Sequence, residues 1–490
     1  MFTFVGVAIA LLATLFAYFK WTYKYWERRN LQYLEPKIPY GNGTGPFKRT
    51  ENAGFRFKRQ YEELKSRGWK HGGLYSILNP IYLVADLDYI KNIMTKDFHY
   101  FTDRGIYYNE KNDPLSAHLF ALGGPKWRHL RTKLSPTFTS GKMKQMFQTL
   151  VDCVPQLLQQ IDKNVPVDIK EVLGCFTTDI IGSCAFGLEC KTFEDENSPF
   201  REYGRKFFQV SNLKIAKFLF SGNFPNVART LGVTITSKDV SDFFISVVED
   251  TVKYREKHNL VRKDFMQLLI DLKNTEKEQM LTIEELAAQC FVFFIAGFET
   301  SSTTMTFALF ELAKRPDLQQ QVRDEIETVL AKHGNITYDA IQDLKFMDQV
   351  IDETLRMYPP VPVLTRKCVK DYKIPDQDVI IQKGTRVFIP VLGIHYDSDL
   401  YPNPSQFDPD RFSEEKKKSR HGYAHLPFGE GPRICIGMRF GLMQTKVGLT
   451  ALLKNYKFSV NSKTQTPLKM KPNSFILAAE GDVWLNAQKV

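Results

Sequence analysis

Cysteine is scarce in this chain. Its 490 residues hold seven, at Cys153, Cys175, Cys184, Cys190, Cys290, Cys368 and Cys435, and no two form a Cys-x-x-Cys pair. An odd, sparse set argues against a disulfide framework or a zinc cluster and fits a reducing compartment. Internal repeats and low-complexity tracts are missing, which sets aside repeat architectures. Nothing indicates nucleic acid, although 66 basic residues against 55 acidic ones leave a net charge of +11. That excess points to an acidic partner surface or an anionic membrane. Long uncharged runs are rare too, and there is one that matters.

From Phe2 to Phe19 the chain reads FTFVGVAIALLATLFAYF without a charge. As a helix this run spans about 27 Å, close to the ~30 Å hydrocarbon core of a bilayer. Lys20, Lys24, Arg28 and Arg29 follow, interleaved with Trp21, Tyr23, Tyr25 and Trp26. With no basic residues before the run and no small-residue cleavage site after it, a signal anchor is expected rather than a cleaved signal peptide. Cations on one side only place the following domain in the cytosol. We therefore expect an anchor over residues 1–30, a Pro/Gly hinge over 31–48 and one large domain over 49–490. The hinge contains Pro36 to Pro46, PKIPYGNGTGP. Asn42 and Asn335 begin glycosylation sequons that a cytosolic domain leaves unmodified.

What the chain has in quantity is apolar and aromatic side chains, 43% and 13%, with 38 phenylalanines. That supports a large interior. The pattern beyond residue 50 is mostly helical, with short strands expected at 74–77, 82–84 and 379–381 and a solvated charge run over Glu414–Arg420. The longest expected helix starts at a capping box, Thr282-Ile-Glu-Glu285, and runs to Arg315 before Pro316. Its middle, Phe291–Ala296, is apolar all round, as in a helix that crosses a protein interior. There lies Ala296-Gly-Phe-Glu-Thr-Ser301. Gly297 costs roughly 1 kcal/mol relative to Ala in a helix. Ala296, Gly297 and Thr300 share a face, which either makes room for a ligand beside a hydroxyl or marks close helix packing with Thr300 bonded to a carbonyl.

The single cysteine of Pro427-Phe-Gly-Glu-Gly-Pro-Arg-Ile-Cys-Ile-Gly437 sits among residues that suit neither helix nor strand. Gly429, Gly431 and Gly437 can take positive φ and turn N–H groups towards a thiolate. They also let something flat approach, against which Phe428 could pack and whose anionic edge Arg433 could meet. Those needs match a haem held by a cysteinate. The rival is a nucleophilic cysteine, with His421 or His425 as base. Three further constellations are ordinary when taken alone: Glu353-Thr-Leu-Arg356 at i, i+3, a turn at Phe407–Phe412 carrying Arg411, and Trp127 with Arg131 at i, i+4.

Together and in this order these motifs resemble the cytochrome P450 superfamily. The pattern FxxGxRxCxG is complete at Phe428, Gly431, Arg433, Cys435 and Gly437; AGxET stands at 296–300, ExxR at 353–356, PxRF at 409–412 and WxxxR at 127–131. Phe101-Thr-Asp-Arg104 and Leu134–Lys142 look like the microsomal group of insect family-6 and vertebrate family-3 enzymes, the insect detoxification members above all. The resemblance implies a mainly α fold with small β-sheets, holding haem b between the long central helix and the cysteine-bearing loop. It implies Cys435 as the iron ligand, Trp127, Arg131 and Arg433 on the haem propionates, and Arg104 and Arg366 as further propionate positions. Thr300 and Glu299 would guide protons to dioxygen, and Glu353, Arg356 and Arg411 would form a buried network behind the haem.

The activity so implied is insertion of one oxygen atom of O₂ into an apolar organic substrate, a xenobiotic such as a plant toxin or insecticide. Electrons would come from NADPH through a membrane-bound cytochrome P450 reductase, with cytochrome b5 as a further donor, at the cytosolic face of the endoplasmic reticulum. An endogenous lipid or hormone is the alternative substrate. A haem-thiolate isomerase or gas sensor is the alternative class, which the intact Glu299–Thr300 pair disfavours. Lys126, Arg128, Lys133, Lys142 and Lys144 are candidates for the reductase-docking face. By family position the substrate pocket would draw on Tyr107, Leu115, Phe120, Phe208, Leu213, Phe294, Ile295, Val361 and Phe475, each of which also reads as core packing.

Overall fold

The capping box at Thr282 forms as expected: Thr282 Oγ1 accepts from Glu285 N–H at 3.2 Å, and the Glu285 carboxylate accepts from Thr282 N–H at 3.0 Å. The helix it starts runs over Ile283–Ala313 and is buried along most of its length. This chain is described here by a computed structural model covering residues 2–45, 51–163, 165–195, 197–262, 264–275 and 281–490. Helices make up 57% of it, with small sheets.

Two helices cross the central one closely because small residues face it. A Cβ on Gly297 would run into the Ile181 side chain of the helix Ile169–Phe186, and Thr177 Oγ1 of that helix donates to the Phe298 carbonyl at 2.9 Å. A Cβ on Gly448, in the helix Met438–Asn455, would meet Met305 and Phe176. Gly297 is therefore a helix-packing residue, and its helix-propensity cost is offset by dense contact. It does not widen a ligand groove.

The largest sheet has four strands in the order His71–Ser76, Asn79–Val84, Arg386–Ile389, Leu364–Lys367. Its second and third strands pair in parallel, Ile81 opposite Arg386, and the other pairs are antiparallel. Three strands, Val167–Asp168, Trp484–Lys489 and Tyr456–Val460, form a second sheet, and Tyr372–Lys373 with Ile380–Ile381 a third. The expected strands at 74–77, 82–84 and 379–381 all fall on observed ones, and the run Glu414–Ser419 is an exposed short helix rather than a loop.

The expected anchor is a helix, Phe2–Thr22, and among the described residues it heads the one segment long and apolar enough to cross a membrane. The expected hinge differs. Phe19, Tyr23, Trp26, Leu31 and Leu34 are buried in the same core as the four-stranded sheet. Trp26 lies over Gly73, where a Cβ would collide with the indole, and donates to the Leu74 carbonyl at 3.0 Å. Leu34 N–H donates to Gly73 O and Gly73 N–H to Gln32 O, at 3.0 and 2.8 Å. Asn42 donates to Leu34 O and Glu35 O and accepts from Tyr75 N–H, so its sequon amide is a structural group. Turn residues form no ladder of their own, so this segment pairs with the open edge of the first strand instead. The end of the expected hinge, within 46–50, lies outside the described residues.

Candidate active site

Two backbone turns shape the loop around Cys435. Gly429 and Gly431 take φ of +70° and +73°, and a Cβ on Gly431 would drive into the Met94 carbonyl. Only glycine fits there without strain. Gly429 N–H donates to Leu426 O at 3.1 Å, and Cys435 N–H to Phe428 O at 2.9 Å, which closes the loop just before the helix Met438–Asn455. Gly437 differs from expectation: its φ is −91°, ordinary for any residue. Its contribution is an N–H that faces the Cys435 sulfur.

Cys435 is exposed by surface area yet surrounded by protein, so its thiol opens on the interior rather than on bulk solvent. Burial pushes the thiol up, opposed by the Gly437 amide and the charges of Arg104 and Arg131. Neither candidate base serves it. His421 lies 3.5 Å from Asp88, and His425 packs on Phe412 and His395 with its imidazole pushed down to about 3 by burial. A cysteine nucleophile would lack the base that activates it.

Four arginines converge behind this loop. Arg433 is fully buried and donates to Thr102 O, Leu122 O and Leu119 O at 2.8, 2.8 and 3.4 Å, with its guanidinium 3.8 Å from the centre of the Trp127 ring. Arg104 donates to Arg433 O at 2.9 Å. Burial and mutual repulsion hold Arg104 well below the usual arginine range and Arg433 at about 9. Burial alone brings Arg366 to about 10, and its Nε has no partner. Arg131, also lowered by burial, stands on the helix Gly124–Leu134 one turn from Trp127. The one carboxylate paired with Arg433, that of Asp103, is 4.0 Å away. So much buried positive charge suits a ligand with two carboxylates.

In the middle of the buried central helix, Ala296 is exposed and Thr300 half-exposed. Thr300 Oγ1 donates to Ala296 O at 2.6 Å, the carbonyl bond weighed above. Burial raises the neighbouring Glu299 carboxyl, against the charges of Arg201, Lys170, Lys471 and Arg205.

Residues 53–485 match the family model described as Cytochrome P450. The chain belongs to the cytochrome P450 family. It is 43% identical over 502 residues to Cytochrome P450 6A1 of Musca domestica, which covers 100% of this chain and 98% of that one. It is 42% identical to Probable cytochrome P450 6a14 of Drosophila melanogaster over 509 residues, 99% of each chain, and 42% to Cytochrome P450 6a8 of the same fly over 498 residues, 99% and 98%. Family membership makes it a haem-thiolate monooxygenase with haem b, a small-molecule substrate and electrons relayed from NADPH by a partner reductase. The site fits that cofactor: one inward thiol on a glycine-shaped loop, an arginine cluster short of carboxylates, and an orphaned Arg366 Nε.

The ExxR pair of this P450 is fully buried. Arg356 Nε and Nη2 donate to the two oxygens of Glu353 at 2.6 and 2.8 Å, and Asp408 N–H donates to the same carboxylate at 2.9 Å. Arg411 Nε stands at 3.5 Å from Glu353, an ion pair without a well-formed hydrogen bond. Sequence reasoning missed His395, which joins this network through its ring and its carbonyl. Thirty-nine residues separate it from Arg356, and no spacing rule could have paired them.

The expected pocket residues divide. Phe120, Phe208 and Val361 are half-buried, which leaves them surface to offer a ligand, whereas Ile295 is buried at 8% exposure. Leu115 and Phe294 are 0% exposed and belong to the core, Phe294 in an aromatic cluster with Phe186, Phe200, Phe244 and Phe298. Leu213, on the helix Asn212–Asn223, is 67% exposed. The Tyr107 hydroxyl is committed to Val233 O at 2.8 Å. Phe475 is 54% exposed but meets the Phe120 ring edge-on at 6.4 Å.

Proposed function

We propose that this P450 monooxygenase oxidises apolar organic compounds, xenobiotics such as plant toxins or insecticides, using O₂ and NADPH-derived electrons. The observation that carries this reading is the surface left open at Ala296 and Thr300 within an otherwise buried apolar helix, with Phe208 packed edge-on against Phe298 of the same stretch at 5.8 Å. Haem, when bound, supplies the redox chemistry that divides dioxygen between substrate and water. Cys435 is its ligand in this reading, with Phe428 and Gly437 beside it. Arg104, Arg131, Arg366 and Arg433, with Trp127, hold the propionates, because a planar guanidinium meets a carboxylate bidentately. Thr300 Oγ1 and the Glu299 carboxyl hold and pass protons on the substrate side. Burial raises that carboxyl, which makes it a better proton donor-acceptor than an ordinary solvated one. Glu353, Arg356 and Arg411 fix the frame behind the loop.

In this reading the N-terminal helix is a signal anchor in the endoplasmic reticulum membrane and residues 49–490, the catalytic domain, face the cytosol, an orientation that the basic flank supports. Lys126, Arg128, Lys133, Lys142 and Lys144 form the docking face for the reductase and for cytochrome b5. Two of them carry acidic neighbours, Lys126 with Glu110 at 2.8 Å and Lys144 with Asp339 at 3.4 Å, which a docking partner's carboxylates would have to displace. The test is a turnover screen of the full chain with reductase, lipid and NADPH across a panel of apolar compounds. Oxygenated products from planar toxins or insecticides support the reading. Products only from endogenous lipids or hormones redirect it, and NADPH-independent isomerisation without oxygenated product overturns it.

A further inference from the structure

The buried ExxR pair and the cysteine loop lie far apart in the chain, and one imidazole connects them. His395 ends the short helix Val391–His395 and is fully buried. Arg356 Nη1 donates to the His395 carbonyl at 2.8 Å, and His395 Nδ1 lies 3.0 Å from the Arg356 carbonyl, so the two residues bind each other twice. The other ring nitrogen, Nε2, is 2.9 Å from the backbone N–H of Leu426. A carbonyl can only accept and a backbone N–H can only donate. Nδ1 therefore carries the proton and Nε2 accepts, which fixes one neutral tautomer. Burial and the neighbouring His425 and Arg356 hold the ring far below its ordinary protonation range.

Leu426 is the last residue before the cysteine loop. Its carbonyl accepts from Gly429 N–H at 3.1 Å, and the Phe428 carbonyl beside that turn accepts from Cys435 N–H at 2.9 Å. We propose that His395 is a positioning residue, which transmits the fixed geometry of the Glu353–Arg356 pair to Leu426 and thereby sets how the loop presents the Cys435 sulfur to haem iron. The nearer explanation, that His395 merely fills space against the ring of His425, 5.3 Å away and inclined by 30°, requires volume and not two directed hydrogen bonds.

Three variants separate these explanations. His395→Gln can set an amide oxygen near the Nε2 position and keep an acceptor for Leu426. His395→Asn can set an amide N–H near Nδ1 but leaves Leu426 unmet, and His395→Phe keeps the volume and loses both bonds. The readouts are the reduced, CO-bound spectrum of the holoprotein at matched haem content and amide exchange over 426–429. We expect the Phe and Asn variants to lose at least half of the red-shifted thiolate band, with amide exchange about tenfold faster, the scale of one lost buried hydrogen bond. The Gln variant should keep most of the band and the protection. A Phe variant with the wild-type band and protection would overturn the proposal. So would Gln and Asn variants that lose the band equally, a comparison that decides the matter even if the Phe variant does not fold.

Discussion

The loop side of the site and the substrate side are built by different physics. Around Cys435 the backbone is directed: two left-handed glycines, a closing bond from Cys435 N–H to Phe428 O, Arg433 on three carbonyls and His395 on Leu426. Along Ala296–Thr300 position comes from packing, with Gly297 against Ile181 and one hydroxyl turned back on its own helix. Directed bonds tolerate few residue types at fixed offsets, whereas apolar packing tolerates many of similar volume. The first side should therefore break sharply and lose cofactor geometry. The second should bend gradually and change what is oxidised.

The largest effect is expected from Arg356→Ala. It leaves the Glu353 carboxylate buried with only Asp408 N–H and a distant Arg411, a loss of about 3–5 kcal/mol. Thermal unfolding should show little folded holoprotein, and a near wild-type melting temperature would contradict the buried-network reading. Thr300→Ala should instead leave folding and the thiolate spectrum intact while product formation per NADPH falls by about 10²-fold, the scale of a lost proton-transfer group. Equal coupling in the variant would remove Thr300 from proton delivery. Gly431→Ala should cost about 1–2 kcal/mol from left-handed backbone alone, and more from the Met94 carbonyl. Denaturant unfolding gives the number, and an unchanged midpoint would show that the loop relaxes.

Charge reversal across Lys126, Arg128, Lys133, Lys142 and Lys144 should slow reductase-driven turnover and flatten its dependence on salt, with peroxide-driven turnover unaffected. A separate effect, spread over the whole fold, concerns acid. His71 and His118 are lowered to about 4 and His425 to about 3, chiefly by burial, so the folded chain keeps these rings neutral where an unfolded one would charge them. Their contribution to stability is complete above pH 6.5 and is lost as pH falls towards 4. A His425→Phe variant should lose less stability over that window than the wild type, and an identical slope would refute the assignment for that ring.

Legibility followed the same division. The central helix was readable because its cap and its apolar run are local, and four of the five spaced motifs marked the directed loop and its supports. The strands Leu364–Lys367 and Arg386–Ile389 were not among those expected, since pairing across the fold and not alternation in sequence defines them. His395 was invisible because its partners are residues 356 and 426. The hinge misled because proline and glycine report a bent path and say nothing of what the path binds. Gly437 misled in the opposite sense, having a glycine's freedom and not using it. On the substrate side, aromatic residues lining a pocket and aromatic residues filling a core look alike in sequence, and Phe294 and Phe120 part only in the fold.

The central claim is that Cys435 presents a thiolate to haem from a loop held rigid on three sides. The reduced, CO-bound spectrum of the purified full chain tests it most directly, beside that of Cys435→Ala. The wild type should show the red-shifted Soret band of thiolate ligation and the variant none of it. A variant that retains the band, or a wild type that never shows it at full haem content, would contradict the assignment.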